Sequence, residues 1–452
     1  MILGKLDILN REDFVEELVN LTENISANRA STSFAINGVW GCGKSFVLDM
    51  YEERLNQIQE EERAIDKYFV IRYNCWKYDY YEEPLVAIVA TMIDIINQKT
   101  KLWNDDQKKA QVLGVLKTVG TTLLSMANDG LKDKIGIDVK ATYETLKTNI
   151  KSEEEKIEQS HEYDIYFSFN QALRRLQDLI AELSQDQTIV FMVDELDRCL
   201  PEYSIKVLER LHHLTENSNN VITVLSMDKE QLQKSVKQIF GFDDPEKYLE
   251  KFIQFELKLD FGNISEQITK KYSDYISLFD DTLRVDDSIE EFMQIVFDGI
   301  GARKQEQIIK KASIVHRILF NEPKSKVFMC MELLIVIIND CYSRQKAFCV
   351  FFENVFGIHH ANITATPFSN FFNNRFEELP CDIIHYDNSS RKDSYQYNIS
   401  DSLYLYILFI WSRMFFSKSR QVISLSNEKL KEKLISHVED LKKFDVTMGF
   451  IK

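Results

Sequence analysis

Residues 34–50 read FAINGVWGCGKSFVLDM, and the eight residues from Gly38 to Ser45 include three glycines, one lysine and one serine. They fit the pattern GxxxxGK[ST], which has a physical reason. A loop that wraps a polyphosphate must turn its backbone N–H groups inward. Glycines allow the dihedrals this needs and keep side chains off the ligand. In this reading Gly38, Val39, Trp40, Gly41, Cys42 and Gly43 form a cradle. Lys44 reaches the outer phosphates as a point charge, and Ser45 is placed to ligate Mg²⁺. Phe46 continues into a helix whose N-terminus attracts the anion. The bland alternative is a strand–turn–helix corner that matches by chance. The flanks weigh against it: the apolar run SFAING (33–38) precedes the loop, and a helical stretch with Val47, Leu48, Tyr51 and Leu55 on one face follows it. Cys42 reads as a small loop residue rather than a nucleophile, since no general base accompanies it.

A second apolar run, TIVFMV (188–193), ends at DELDR. Open α/β sheets place ligands at the carboxyl ends of their strands, so Asp194 and Glu195 point to the same edge as the loop. Asp194 is the candidate for the Mg²⁺ shell, and Glu195 is the candidate general base toward an attacking water. Taken alone, the pair equally fits an acidic strand end facing solvent. VITVLSMD (221–228) supplies a third strand end. Ser226 or Asp228 fits a polar sensor of the terminal phosphate, and Asp228 also fits the N-cap of the helix that follows. Arg198 has two readings: contact with transferred phosphoryl charge, in its own site or a neighbouring subunit's, or organisation of its own turn with Asp197. The pairs His212-His213 and His359-His360 lack the accompanying spacing of a zinc site and read as surface or packing residues.

The chain has 452 residues, 44% of them hydrophobic and 12% aromatic, enough for two or three domains. Six prolines and 14 glycines leave little for long linkers. A formal charge of −16 and a pI near 5.1 argue against a broadly basic surface, so no firm nucleic-acid site is expected. The seven cysteines show no CxxC spacing and read as reduced thiols of a cytoplasmic protein. The N-terminus has no basic region followed by an apolar run, so no signal peptide is expected. The two greasiest runs, VFMCMELLIVIIN (327–339) and LYLYILFIW (403–411), fall short of the roughly 20 residues a membrane helix needs. They read as core helices, and no convincing transmembrane segment remains.

Periodicity organises the rest. Residues 11–27 predict a helix with Phe14, Leu18, Leu21 and Ile25 on one face. YFVIRYN (68–74) predicts a strand and PLVAIVATMIDIINQ (84–98) a buried helix. The pattern weakens over 99–165, which reads as a helical insertion. Helices follow at 167–183, with Phe169, Leu173, Leu176 and Ile180, and at 205–216; FIQFELKL (252–259) predicts an edge strand. Apolar strands alternating with helices predict an α/β fold with a mostly parallel central sheet. Beyond 260 the clearest helices are 264–279, 288–300, 326–340 and 427–444, and the aromatic stretch 345–385 reads as packing or a recognition surface. The expected domains are a core over 1–260, with 99–165 inserted in it, and a mainly helical, aromatic-rich domain over 261–452.

With these motifs in place, the chain resembles the KAP family of P-loop NTPases, within the additional-strand class, over roughly residues 7–320. GVWGCGKS resembles the family's tryptophan-containing Walker A loop, and VFMVDELDRCLPE its Walker B strand and DR motif. KYLEKFIQFELKL resembles its Tyr-Leu-Glu-Lys segment, and Asn74-Cys75-Trp76 the end of its second strand. The resemblance implies an ATP-binding core with Mg²⁺ and an intrinsic or partner-stimulated ATPase. Lys44 and Ser45 would carry phosphate and metal contacts, Asp194 the Walker B metal role, Glu195 the acid beside it, and Asp197 and Arg198 the DR element. It also implies a bacterial intracellular system such as defence against phage or plasmids, with a separate effector or sensor protein. Many relatives carry inserted transmembrane helices, from which this sequence departs. The expectation is a P-loop NTPase that couples Mg-dependent ATP hydrolysis to conformational change or self-association. An ATP-binding scaffold or signalling adaptor with little turnover is the alternative.

Overall fold

Five apolar runs pair as one parallel sheet in the computed structural model: β1 (Thr32–Asn37), β2 (Tyr68–Asn74), β3 (Thr188–Asp194), β4 (Val221–Met227) and β5 (Phe255–Lys258), in the order β2-β3-β4-β1-β5. The structure describes residues 6–62, 67–98 except 82, 106–125, 162–280 except 217, 263 and 266, 286–341, 382–386, 392–396, 422–424 and 428–450. Every residue of β3 and β4 is buried, which is why both read as unbroken apolar runs rather than alternating ones. β4 lies between β1, which leads into Gly38, and β3, which ends at Asp194. This order brings the three strand ends to one edge. The last strand, β5, has four residues, three of them exposed, as suits an edge.

Helices cover the sheet. α1 (Glu12–Ala27) forms where predicted, but its innermost residues are Val15, Leu18, Val19 and Thr22. Phe14, Leu21 and Ile25 are only half-buried. The face is rotated because Thr22 points inward: its hydroxyl donates to Leu18 O at 2.8 Å and meets the buried Tyr51 hydroxyl. α2 (Lys44–Glu61) buries Val47, Leu48, Tyr51 and Leu55 as expected. α3 (Pro84–Gln98) is buried nearly all round. Within the expected insertion, α4 (Asp106–Ser125) buries the stripe Val112, Leu116, Val119 and Leu123. α5 (Glu162–Asp186) begins earlier than the predicted 167. Residues 126–161 lie outside the described residues. α6 (Pro201–Thr215) also starts early, with Pro201 in the first turn, where a missing N–H costs little. α7 (Lys229–Phe240) and α8 (Pro245–Leu249) complete this unit.

The chain forms two compact units, residues 11–260 and residues 6–10 with those described beyond 260. In the second unit the predicted 264–279 helix is two short ones, α9 (Ile268–Lys271) and α10 (Ser273–Ile276), ending at β6 (Phe279–Asp280). The break at Tyr272 turns both Tyr272 and Tyr275 inward, where their hydroxyls reach Gln305 (3.4 Å) and Glu332 (2.9 Å). α11 (Asp286–Val296), α12 (Ala302–Leu319), β7 (Lys324–Ser325), α13 (Lys326–Cys341) and α14 (Glu428–Met448) surround one apolar core. α13 is buried from Val327 to Ile337, including Glu332, so it is the core helix its sequence implied. A three-stranded antiparallel sheet of β8 (Asp382–Tyr386), β9 (Lys392–Gln396) and β10 (Val422–Ser424) was not expected in a mainly helical domain. Its strands of five, five and three residues are too short to show a period in sequence. The aromatic stretch 345–381 and the run 403–411 lie outside the described residues, as do His359 and His360.

Candidate functional site

The chain turns sharply as β1 ends. Gly38 N–H donates to Met227 O at 3.1 Å, and a Cβ on Gly38 would sit 2.6 Å from both Cys42 Sγ and Leu259 O. Only glycine fits there. Gly41 (φ 90°) and Gly43 (φ 95°) take left-handed conformations that other residues resist. Cys42 packs beneath the loop, fully buried, and burial pushes its thiol pKa up, as suits a packing residue. Val39 and Trp40 stand half-exposed, at 50% and 56%. Ser45 and Phe46 lie half-buried in the first turn of α2. Lys44 Nζ donates to Gly38 O at 2.5 Å, so the ammonium lies over its own loop. Arg11, buried, fixes the loop from below by donating to Cys42 O at 2.7 Å and to Asp260 O.

β3 delivers Asp194 into a dense hydrogen-bond set. The carboxylate is 2% exposed; Oδ1 accepts from the Ser226 hydroxyl and from Glu195 N–H, both at 2.9 Å. Oδ2 accepts from Arg72 Nη2 at 2.8 Å. That same nitrogen lies 3.4 Å from Ser45 O and 3.6 Å from Asp49 Oδ1, so Arg72 links the loop's helix to the end of β3. Glu195 sits in the left-handed region (φ 59°, ψ 29°), a strained conformation for a residue with a Cβ. Its carboxylate accepts from Asn74 Nδ2 at 2.9 Å and pairs with Arg198 Nη1 at 2.8 Å. β2 and β3 run in register with Asn74 opposite Asp194. Arg72 and Asn74, two residues apart, therefore present to the same face.

The structure thus brings Ser45, Asp194, Glu195 and Ser226 together with Arg198, and the first four close on the loop's edge of the sheet. Arg198 is organised by its own turn: it pairs with Glu195 and lies over the Trp76 ring at 5.7 Å. The Trp40 indole N–H donates to Asp197 Oδ2 beside it. Asp228 caps α7, accepting from Gln231 N–H at 3.4 Å, and bonds neither to the loop nor to Asp194 among the described residues. His212 stands edge-on to Phe252 at 5.6 Å, and His213 lies 3.5 Å from Glu216.

Sequence reasoning missed Arg72 and Arg11, and it quoted Asn74 only as part of a motif. The signal for two of them was present: in YFVIRYN, Arg72 and Asn74 are polar residues at a spacing of two in an otherwise apolar strand aimed at the loop. Three features suit a polyphosphate with a hard metal ion. The loop has no room for a side chain at Gly38, Ser45 and Asp194 offer oxygen donors, and Arg72 Nη1 is a buried donor without an acceptor among the described residues.

The model of the KAP family P-loop domain matches residues 11–300, well over half of the chain. Among solved structures, the Aeropyrum pernix ORC2 protein in ADPNP–ADP complexes is 13% identical, with 99% of this chain and 96% of that chain covered and a TM-score of 0.38. Drosophila ORC bound to DNA is 12% identical over 90% and 89% of the two chains, with a TM-score of 0.36. The Aeropyrum pernix ORC1 protein in complex with DNA is 11% identical over 97% and 95%, at 0.31. Likeness at this level carries over no ligand, partner or assembly. No curated protein matches the chain. No helix among the described residues is long and apolar enough to cross a membrane. With its loop, its parallel sheet and the family match over residues 11–300, the chain belongs to the KAP family of P-loop NTPases.

Proposed function

We propose that the chain binds Mg-ATP at Gly38–Ser45 and hydrolyses it, coupling nucleotide state to a conformational or assembly change. Family membership supports nucleotide binding. The observation that carries the finer reading is the convergence of Ser45, Asp194 and Glu195 at one sheet edge, bridged by Arg72 and Asn74. Loop amides and Lys44 would stabilise phosphate charge once Lys44 leaves the Gly38 carbonyl. Ser45 Oγ and Asp194 would hold Mg²⁺, which when bound would supply charge neutralisation at the outer phosphates. Glu195 would orient a water and take its proton, for which its carboxylate must let go of Asn74 or Arg198. Ser226, bonded to Asp194, is better placed than Asp228 to respond to the terminal phosphate.

Residues 1–260 would form the NTPase core, and 261–452 would carry the partner surface. An acidic chain of this family is read as cytoplasmic, acting through self-association and a separate effector or sensor protein. A setting in defence against phage or plasmids rests on the family resemblance alone. The second reading, an ATP-binding scaffold, has its own support: both oxygens of Glu195 are engaged, by Asn74 and by Arg198. Glu195→Gln separates the two. The hydrolysis reading expects this variant to keep ATP affinity and to lose turnover by about a hundredfold or more. Wild-type protein that binds ATP without turning it over would establish the scaffold instead.

A further inference from the structure

Buried charged donors almost always find an acceptor, because an unsatisfied one keeps the full cost of desolvation. Arg72 breaks this rule on one side of its guanidinium. Nη2 is surrounded by oxygens, with Asp194 Oδ2 at 2.8 Å, Ser45 O at 3.4 Å and Asp49 Oδ1 at 3.6 Å. Nη1 is buried and has no hydrogen-bond partner among the described residues. The side chain as a whole is 19% exposed, while Nη1 itself is covered, so water does not satisfy it and the guanidinium must turn to present it to a ligand.

Pairing with Asp194 accounts for Nη2 but not for Nη1, and strand packing needs no arginine here. Residues 68–71 of β2 and Tyr73 are all buried, and their packing holds the strand. Asp194 already receives the Ser226 hydroxyl and the Glu195 N–H. Location gives a reason. The Ser45 carbonyl is a guanidinium neighbour at 3.4 Å, so Arg72 meets the last residue of the loop assigned above to phosphate. Guanidinium presents its donors as a planar fork and pairs well with phosphate oxygens, where lysine acts only as a point charge.

Resting on the nucleotide reading above, we propose that Arg72 is a phosphate-contacting catalytic residue supplied by the second strand of the same chain. Its Nη2 neutralises Asp194, and its Nη1 donates to an oxygen of the terminal phosphate of a nucleoside triphosphate. Two consequences follow from charge. Arg72 distinguishes triphosphate from diphosphate, because only the former brings an oxygen to Nη1. It also supplies part of the counter-charge a divalent cation would give, so this preference persists without metal.

The test is calorimetric binding of ATP and of ADP to full-length protein in EDTA and in Mg²⁺, for wild type, Arg72→Gln and Arg72→Lys. Arg72→Lys keeps a cation beside Asp194 and removes the fork, so it carries the test where Arg72→Gln fails to fold. In EDTA, both folded variants are expected to lose the wild-type preference for ATP over ADP by about tenfold or more. The loss comes through ATP, with ADP affinity moving less than about threefold. A residue that merely positions Asp194 would weaken ATP and ADP alike in Mg²⁺ and leave the ratio in EDTA untouched. A folded Arg72→Lys protein with the wild-type ratio in EDTA therefore overturns the assignment. Failure of the nucleotide reading looks different: folded wild type and Lys44→Ala would then behave alike toward both nucleotides in both buffers.

Discussion

The two most deeply buried carboxylates among the described residues lie one in each unit, and their surroundings differ in kind. Glu332 in α13 is fully buried, and both oxygens are used: one meets His316 Nδ1 at 2.8 Å and the other accepts from the Tyr275 hydroxyl at 2.9 Å. His316 is in turn packed among Phe279, Phe320 and Phe328. That network is closed. Asp194 is as deeply buried, yet its arginine partner has a donor left over, and the neighbouring Glu195 is held in a strained backbone conformation. A closed network stabilises or specifies a fold, whereas the spare donor beside the glycine loop is the feature on which the proposed phosphate contact rests. The difference teaches that burial of charge alone does not mark a site; the Arg72 proposal rests on a spare donor together with its place beside the loop.

The comparison can be broken most severely at the loop. Gly38→Ala would force a Cβ into Cys42 Sγ and the Leu259 carbonyl, both at 2.6 Å. Nucleotide affinity should fall by about a hundredfold, and the unit should lose about 1–3 kcal/mol of stability. Titration of a fluorescent nucleotide beside a thermal melt reads both. Unchanged binding would show that the close packing under Gly38 does not shape the cradle.

The closed network predicts a smaller effect with a pH signature. Burial raises the Glu332 pKa from 4.5 to about 7, against the lowering effects of His316 and Tyr275. The folded state therefore holds this proton more tightly than the unfolded chain does. The resulting stabilisation is complete below pH 4.5 and is lost as pH rises through about 7. Glu332→Gln should thus gain on wild type by about 1–2 kcal/mol between pH 5 and pH 8, after allowing for weakened bonding to His316. Chemical denaturation across that range checks it, and a difference that does not change with pH would refute the shift. Smallest of all, Asp228→Ala should cost about 1 kcal/mol as a lost helix cap while leaving ATP turnover unchanged. A fall in turnover without a fall in stability would make Asp228 a sensor rather than a cap.

How much of this was legible follows from the kind of signal involved. The glycine loop after β1 and the acidic end of β3 could be placed at one sheet edge because their motifs set fixed residue types at fixed spacing. β3 and β4 could be read because strands buried on both faces are continuously apolar. Arg72 was hidden because one cation in YFVIRYN looks like an edge residue until the register with β3 sets it beside Asp194. The rotated face of α1 depended on Thr22, a polar residue that hydrogen-bonds to its own helix and so packs inward. α12 escaped notice because Arg303, Lys304, Lys310, Lys311 and Arg317 interrupt its apolar residues. The inward face of Ile308, Ile309, Ala312 and Val315 shows only on the helix.

The central claim is that the Gly38–Ser45 loop binds a nucleotide polyphosphate through Lys44. Calorimetric titration of Mg-ATP into full-length wild type and Lys44→Ala tests it directly, with circular dichroism confirming that both are folded. The account predicts saturable binding by wild type and affinity at least about tenfold weaker once the ammonium is gone. Equal affinities in two folded proteins would contradict it.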